Sequence, residues 1–332
     1  MLFGSIGLYR MPIPSALSVH FGAAEHHDLT MHVLDGGVLP DGSPEDISEL
    51  LYSTLFADGS VQDPRGVMSD HIEPSSQTET VLGVRTTVGQ NWTVGVRAGA
   101  RRLPDAIEDF TKNDGVSRVY GIQLADPEVR IGNPGRDFQG YCDLDGDGIP
   151  DPVFIPAGAM GYPMPEREYY ALEATFSRRF ADRWMVQGSY TWSHLYGNYE
   201  GLVSSDHSAE ISSWNGLTRS FDWPGMMDHS SGDLPNDRRH NVRLLGSFAS
   251  SLGLNIGGVF YFWSGRPLNS FGFHPRDPWS LLYGAQAFYT AEKPQARGCC
   301  GRTDSAWSLD LMLGYTFAAA GVDWTLRTDV YN

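Results

Sequence analysis

The sequence is short of cysteine, of charge and of long apolar runs. Only three cysteines occur among 332 residues, Cys142 and the adjacent Cys299 and Cys300. None belongs to the C-x-x-C pairs of a structural zinc site. In an oxidising compartment Cys142 could bridge to one of the pair; unpaired loop thiols are the other reading. No apolar run approaches the ~20 residues that a membrane-crossing helix needs. Residues 1–10, MLFGSIGLYR, lack the basic start, apolar stretch and small-residue cleavage site of a secretory signal. Charged residues make up 19% of the chain, too few, beside 12% aromatics, for a disordered segment. Positive charge is the scarcer sign, with 24 Lys and Arg against 40 Asp and Glu and a formal net charge of −16. Such a surface repels nucleic acid and attracts cations. Also missing are G-x-S-x-G, H-E-x-x-H and a phosphate loop, so no enzyme activity is expected. The adjacent acids Glu108 and Asp109 would point to opposite faces of a strand.

What the chain does have is alternation. Trp92, Val94, Val96, Ala98 and Ala100 interleave with Thr93, Gly95, Arg97, Gly99 and Arg101. The same two-residue period runs through 184–193, 307–317 and 322–330. Strands are expected at 2–10, 78–89, 92–103, 167–180, 184–197, 238–250, 254–266, 304–318 and 322–331. These nine are long. An ordinary soluble strand has ~5–6 residues, whereas a tilted membrane-spanning strand has ~9–11. Their connections alternate between short ones (89–91, 181–183, 251–253, 319–321) and long ones (104–166, 198–237, 267–303) rich in Gly, Pro, Asp, Asn and Ser. Outer-membrane barrels have this order, with tight periplasmic turns and long external loops. Trp92, Phe180, Trp184, Phe317 and Tyr331 lie near strand ends, where aromatic girdles belong. The expected fold is therefore all-β, a partial antiparallel transmembrane β-barrel. Its polar face carries Arg85, Arg97, Arg101, Glu173, Arg179, Arg243, Asp310 and Arg327 toward the lumen. A large soluble β-protein is the alternative.

The stretch DLDGDGIPD, 143–151, offers hard oxygen ligands at alternating positions. Calcium takes 6–8 oxygens in a flexible shell. Asp143, Asp145 and Asp147 would supply carboxylates, Ile149 a backbone carbonyl, and Asp151 a direct or water-bridged contact. The twelfth loop position is Phe154, not the Glu that an EF-hand requires, so a helix–loop–helix site is excluded. The DxDxDGxxD form resembles the calcium repeats of thrombospondin type 3 modules. The expectation is a structural calcium turn within the long loop 104–166. A second cluster, His20, His26, His27 and His32, matches no known ligand spacing and reads as solvated loop residues.

Segment 165–202, PEREYYALEATFSRRFADRWMVQGSYTWSHLYGNYEGL, resembles the C-terminal barrel of TonB-dependent outer-membrane receptors, in particular their Oar-like branch. Further pieces agree in order: His71–Pro74 with Glu79–Gly83, Arg102-Leu103 with Ile107–Asp109, Asn236–His240, Ser264–Pro267, Trp307–Leu311 and Asp329–Asn332. The resemblance covers 70–332, and more weakly 1–22. It implies a location in the outer membrane of a Gram-negative bacterium and lipid as a partner. It also implies an unidentified external ligand, and TonB-coupled uptake through a plug. Plug and TonB box are not found in this sequence, so residues 1–332 are expected to be the C-terminal part of such a barrel, a fragment. A passive porin-like barrel and a secreted calcium-binding adhesion module are the competing readings.

Overall fold

The computed structural model describes residues 1–11, 26–34, 36–40, 43, 45, 47–58, 65, 67–124, 129–201, 205 and 219–332. Its strands are β1 (Leu2–Arg10), β2 (His26–Leu34), β3 (Ile47–Asp58), β4 (Ser76–Val88), β5 (Trp92–Asp105), β6 (Glu108–Thr111), β7 (Val129–Gly132), β8 (Phe138–Cys142), β9 (Asp151–Ile155), β10 (Arg167–Ala181), β11 (Trp184–Gly197), β12 (Gly232–Asp233), β13 (His240–Ala249), β14 (Leu254–Trp263), β15 (Tyr289–Thr290), β16 (Lys293–Pro294), β17 (Ala306–Ala319) and β18 (Val322–Val330). Nine long strands form one antiparallel sheet in the order β1-β4-β5-β10-β11-β13-β14-β17-β18, with the short β12 added beside β11. All nine strands expected from the alternation are present, within a few residues at each end.

Register sorts the side chains into two faces. Leu82, Ala98, Leu172 and Trp192 stand abreast, as do Val84, Val96, Ala174, Tyr190, Val242 and Phe262. The opposite face carries rows such as Gly83, Arg97, Glu173, Thr191 and Asn241. The apolar face is bare: Leu82 and Trp307 are each 59% exposed, and Leu311 48%. At about 25 cal/mol per Å² of apolar surface, a band this wide is costly in water and stable against lipid chains. Nine long strands in a single sheet with one bare apolar face do not make a packed two-layer sandwich; this is the wall of a partial β-barrel.

The tight turns are built locally. Asp182 and Arg183 both have positive φ, 50° and 75°, as do Ala320 and Gly321, 57° and 77°. Two central residues at positive φ make the hairpin turn whose twist matches its strands. The first of these turns is held by Arg178, whose guanidinium lies 3.8 Å from the Trp184 ring centre and donates to the Ala181 and Trp184 carbonyls and to Asp182. Trp92 meets Trp184 edge-on at 6.0 Å on the same rim, part of the expected aromatic girdle.

The hydrophobic core is not in the sheet. It lies in the layer of long connections, where Phe110, Val116, Phe138, Cys142, Val153, Ile155, Met160, Tyr162, Tyr199, Phe221 and Met227 pack together with Leu103 from the end of β5. Phe110 packs edge-on to Phe138 and Tyr162 at 6.1 and 5.6 Å. The long loop 104–166 is itself built from regular elements: it contains β6 to β9 and helices at Asn113–Tyr120 and Ala157–Met160. The expectation for the histidine segment is corrected. His26, His27 and His32 lie in β2, which pairs with β3, and not in a loop; His20 lies outside the described residues. Three register shifts interrupt this hairpin, and they scramble the two-residue period that would have announced it.

Candidate functional site

The DLDGDGIPD stretch is the tip of the β8–β9 hairpin. Gly146 and Gly148 have φ of 81° and 82°, values that glycine adopts without a steric penalty. These turns fold the backbone around Asp143, whose two oxygens accept from the Gly146 and Gly148 amides at 2.7 and 2.8 Å. Asp145 accepts from the Asp147 amide, and Asp147 from the Ile149 amide. One carboxylate oxygen each from Asp143, Asp145 and Asp147 fall within 4.8 Å of one another. Like charges at that distance repel by about 1 kcal/mol per pair in water. Hard oxygens gathered this way suit a calcium ion. Asp151 stands apart from the trio. It begins β9 opposite Cys142, and its carboxylate accepts from the Leu144 amide at 3.3 Å. Ile149 has a hydrocarbon side chain, so its contribution would be confined to its backbone carbonyl.

Two further clusters had no sequence signature of their own. Asp237 is fully buried and accepts from the Leu195 amide at 2.7 Å, from Arg239 Nε at 2.8 Å and from Arg302. Asp233 receives the same two arginines and the His194 ring. Burial opposes its charge, but hydrogen bonds from Arg239 and His194 outweigh this and hold its carboxyl below the usual range. The Asn236–His240 motif, which signalled only the start of a strand, thus forms a clasp that joins the β11–β13 and β14–β17 connections to the end of β11.

The second cluster is acidic. Glu108 and Asp109 are both buried. β6 has only four residues, all of them buried, so both faces of the strand are covered by the loop layer and each acid lands inside. Burial, followed by the charges of Asp222 and Glu108, pushes the Asp109 carboxyl well above its ordinary value. Tyr283 donates to Asp222 at 2.6 Å, and the Tyr162 hydroxyl donates to the carbonyls of Thr111 and Asp222. These bonds lock β6 to the 219–227 segment.

The polar face of the sheet lines a cavity of about 470 Å³ whose walls include Arg85, Arg97, Glu173, Thr175, Ser189 and Arg243. Arg97 pairs with Glu173 at 2.8 Å, and Arg101 with Glu79 at 3.0 Å. Arg243 lies over the Tyr261 ring, 5.3 Å from its centre. Three arginines to one carboxylate make this hollow cationic within an acidic chain. The three cysteines are free thiols: Cys142 is buried in the loop core while Cys299 and Cys300 are exposed, so the structure does not bring Cys142 to the pair.

The chain is 27% identical over 268 residues to the TonB-dependent transporter Oar of Myxococcus xanthus, a match covering 79% of this chain and 21% of that protein. The expected resemblance to an Oar-like receptor is borne out. The chain spans about a fifth of the length of this curated relative. No family model matches it. Among solved structures, the outer membrane transporter YddB from Escherichia coli aligns with 79% of this chain and 29% of its own, at TM-score 0.41 and 11% identity. A Pseudomonas aeruginosa FadL homologue aligns with 78% of this chain and 60% of its own, at TM-score 0.22 and 9% identity. Oar and YddB are transporters by name.

Proposed function

We propose that this chain is the C-terminal part of the barrel of a TonB-dependent transporter in the outer membrane of a Gram-negative bacterium. The observation that carries this reading is the two-faced sheet: nine long antiparallel strands with a bare apolar face, tight turns at one end and every long connection at the other. The likeness to Oar supports it. In the intact protein the loop layer faces outward and binds the ligand, and the cationic polar face meets the plug on which TonB acts. Among the described residues β1 pairs only with β4, and β18 only with β17. Lipid cannot satisfy the backbone groups of such edges, so further strands of the full barrel cover them. Asp143, Asp145 and Asp147, with the Ile149 carbonyl and Asp151, hold calcium that braces the β8–β9 tip.

The test uses the full-length protein that carries this chain. It should extract from outer membranes only with detergent and change gel mobility on heating. Its substrate transport should stop when TonB is inactivated. Recovery in the soluble fraction would sink the membrane reading; transport that persists without TonB would favour a passive channel.

A further inference from the structure

The adjacent cysteines lie in the connection between β14 and β17, within Gly298-Cys299-Cys300-Gly301. Both are exposed, and their Sγ atoms are 2.7 Å apart. Neighbouring side chains on an extended strand point to opposite faces. Here Gly298 and Gly301, with φ of 75° and 86°, bend the backbone on either side of the pair. The turn is also pinned. The Cys299 amide donates to the Ala296 carbonyl at 3.2 Å, the Cys300 amide to Leu268 at 3.0 Å, and the Leu268 amide to Gly301 at 3.0 Å. Atoms of carbon size rest about 3.5–4.0 Å apart when unbonded, and sulfur is larger. The bent turn, pinned to Leu268, therefore holds the two thiols within reach of each other.

We propose that Cys299 and Cys300 are a redox modification site, a dithiol that closes to a vicinal disulfide by exchange with a disulfide-bearing oxidant. One thiolate of the pair attacks the oxidant's disulfide. This forms a mixed disulfide and releases the first oxidant thiolate. The second cysteine, as thiolate, attacks the protein sulfur of that mixed disulfide and displaces the other oxidant thiolate. The pair loses two electrons and two protons; the oxidant gains two electrons and leaves as two thiols. Neighbouring Cα atoms lie ~3.8 Å apart, short of the ~4.4–6.8 Å spanned by ordinary disulfides. A ring this small reopens with mild reductant, as labile and regulatory disulfides do. Its place gives it an effect. Arg302, two residues on from Cys300, reaches Asp233 and Asp237, so the ring stiffens the turn that presents one arm of the clasp.

Trypsin isolates the site, because Arg297 and Arg302 bracket the peptide Gly298–Arg302, which excludes Cys142. The full-length protein in detergent is treated with oxidised glutathione, alkylated, digested and weighed. The expected peptide is two hydrogens lighter than the dithiol and takes no alkyl group. After reduction it takes two. In Cys299→Ser and Cys300→Ser the reaction should stop at the glutathione adduct, which the wild type does not accumulate. The proposal is overturned if the wild-type peptide stays doubly alkylated, keeps glutathione, or links to Cys142 or a second molecule. Because the purified protein is assayed, failure here is distinct from failure of the outer-membrane reading, which fractionation decides.

Discussion

Replacing Asp237 with alanine tests whether the loop layer is held by the ionic clasp. The side chain has no exposure and serves three donors, the Leu195 amide, Arg239 and Arg302. Breaking a buried ion pair by removing one partner costs about 3–5 kcal/mol. The arginines keep 24% and 29% of their side-chain surface, so they can turn toward water, which places the expected cost near the lower end. The Leu195 amide has no such escape, and a buried donor left unsatisfied costs about 1–3 kcal/mol by itself. A net loss of about 3 kcal/mol corresponds to roughly a hundredfold increase in local opening. Hydrogen exchange followed by mass spectrometry, residue-resolved around 195 and 232–240, reads this directly. The central residues of β11 and β13 should be unaffected, since their ladder does not depend on the clasp. Unchanged exchange at Leu195, or an equal rise throughout those strands, would refute the reasoning. Asp237→Asn should fall between wild type and alanine, because it can still accept from Leu195 but no longer neutralises the arginines.

Leu311→Arg on the apolar face should impair barrel assembly by about 2–4 kcal/mol, seen as loss of heat-modifiable mobility. Ser308→Arg on the polar face should leave that mobility intact. Calcium should slow exchange at 143–150, by about tenfold at roughly ten times its dissociation constant; Asp145→Ala combined with Asp147→Ala should abolish the effect and leave membrane insertion unchanged. Asp109 has a raised folded-state pKa, so the folded protein binds its proton more tightly than the unfolded chain does. Its contribution is stabilising at low pH and is lost as pH rises from the ordinary carboxylate range through the raised value. Loop-layer stability should therefore increase on mild acidification from neutral pH, by hydrogen exchange, and Asp109→Asn should flatten that dependence.

The strands and their faces were legible because the signal is local. In β5, β11 and β17 every second side chain meets the same medium, so the period of two is written into consecutive residues. The hairpin of β2 and β3 escaped because its register shifts break that period. The DLDGDGIPD tip was also legible, since its carboxylates and turning glycines lie within nine residues. Even there the tertiary geometry sorted them, gathering Asp143, Asp145 and Asp147 and leaving Asp151 on the Leu144 amide.

The loop layer was not legible for the opposite reason. Thr111 meets the Asp222 carbonyl across 111 positions, and Arg302 meets Asp237 across 65. Nothing near Asp237 in sequence distinguishes a surface acid at a strand start from a buried anchor, and nothing near Asp109 reveals that both faces of its strand are covered. By itself the sequence determined a membrane-type sheet, its two faces, the alternation of its connections and an acidic turn. Only the tertiary structure decided where the core sits, which acids are buried and which arginines hold them. Burial and long-range pairing depend on elements that the chain brings together only on folding.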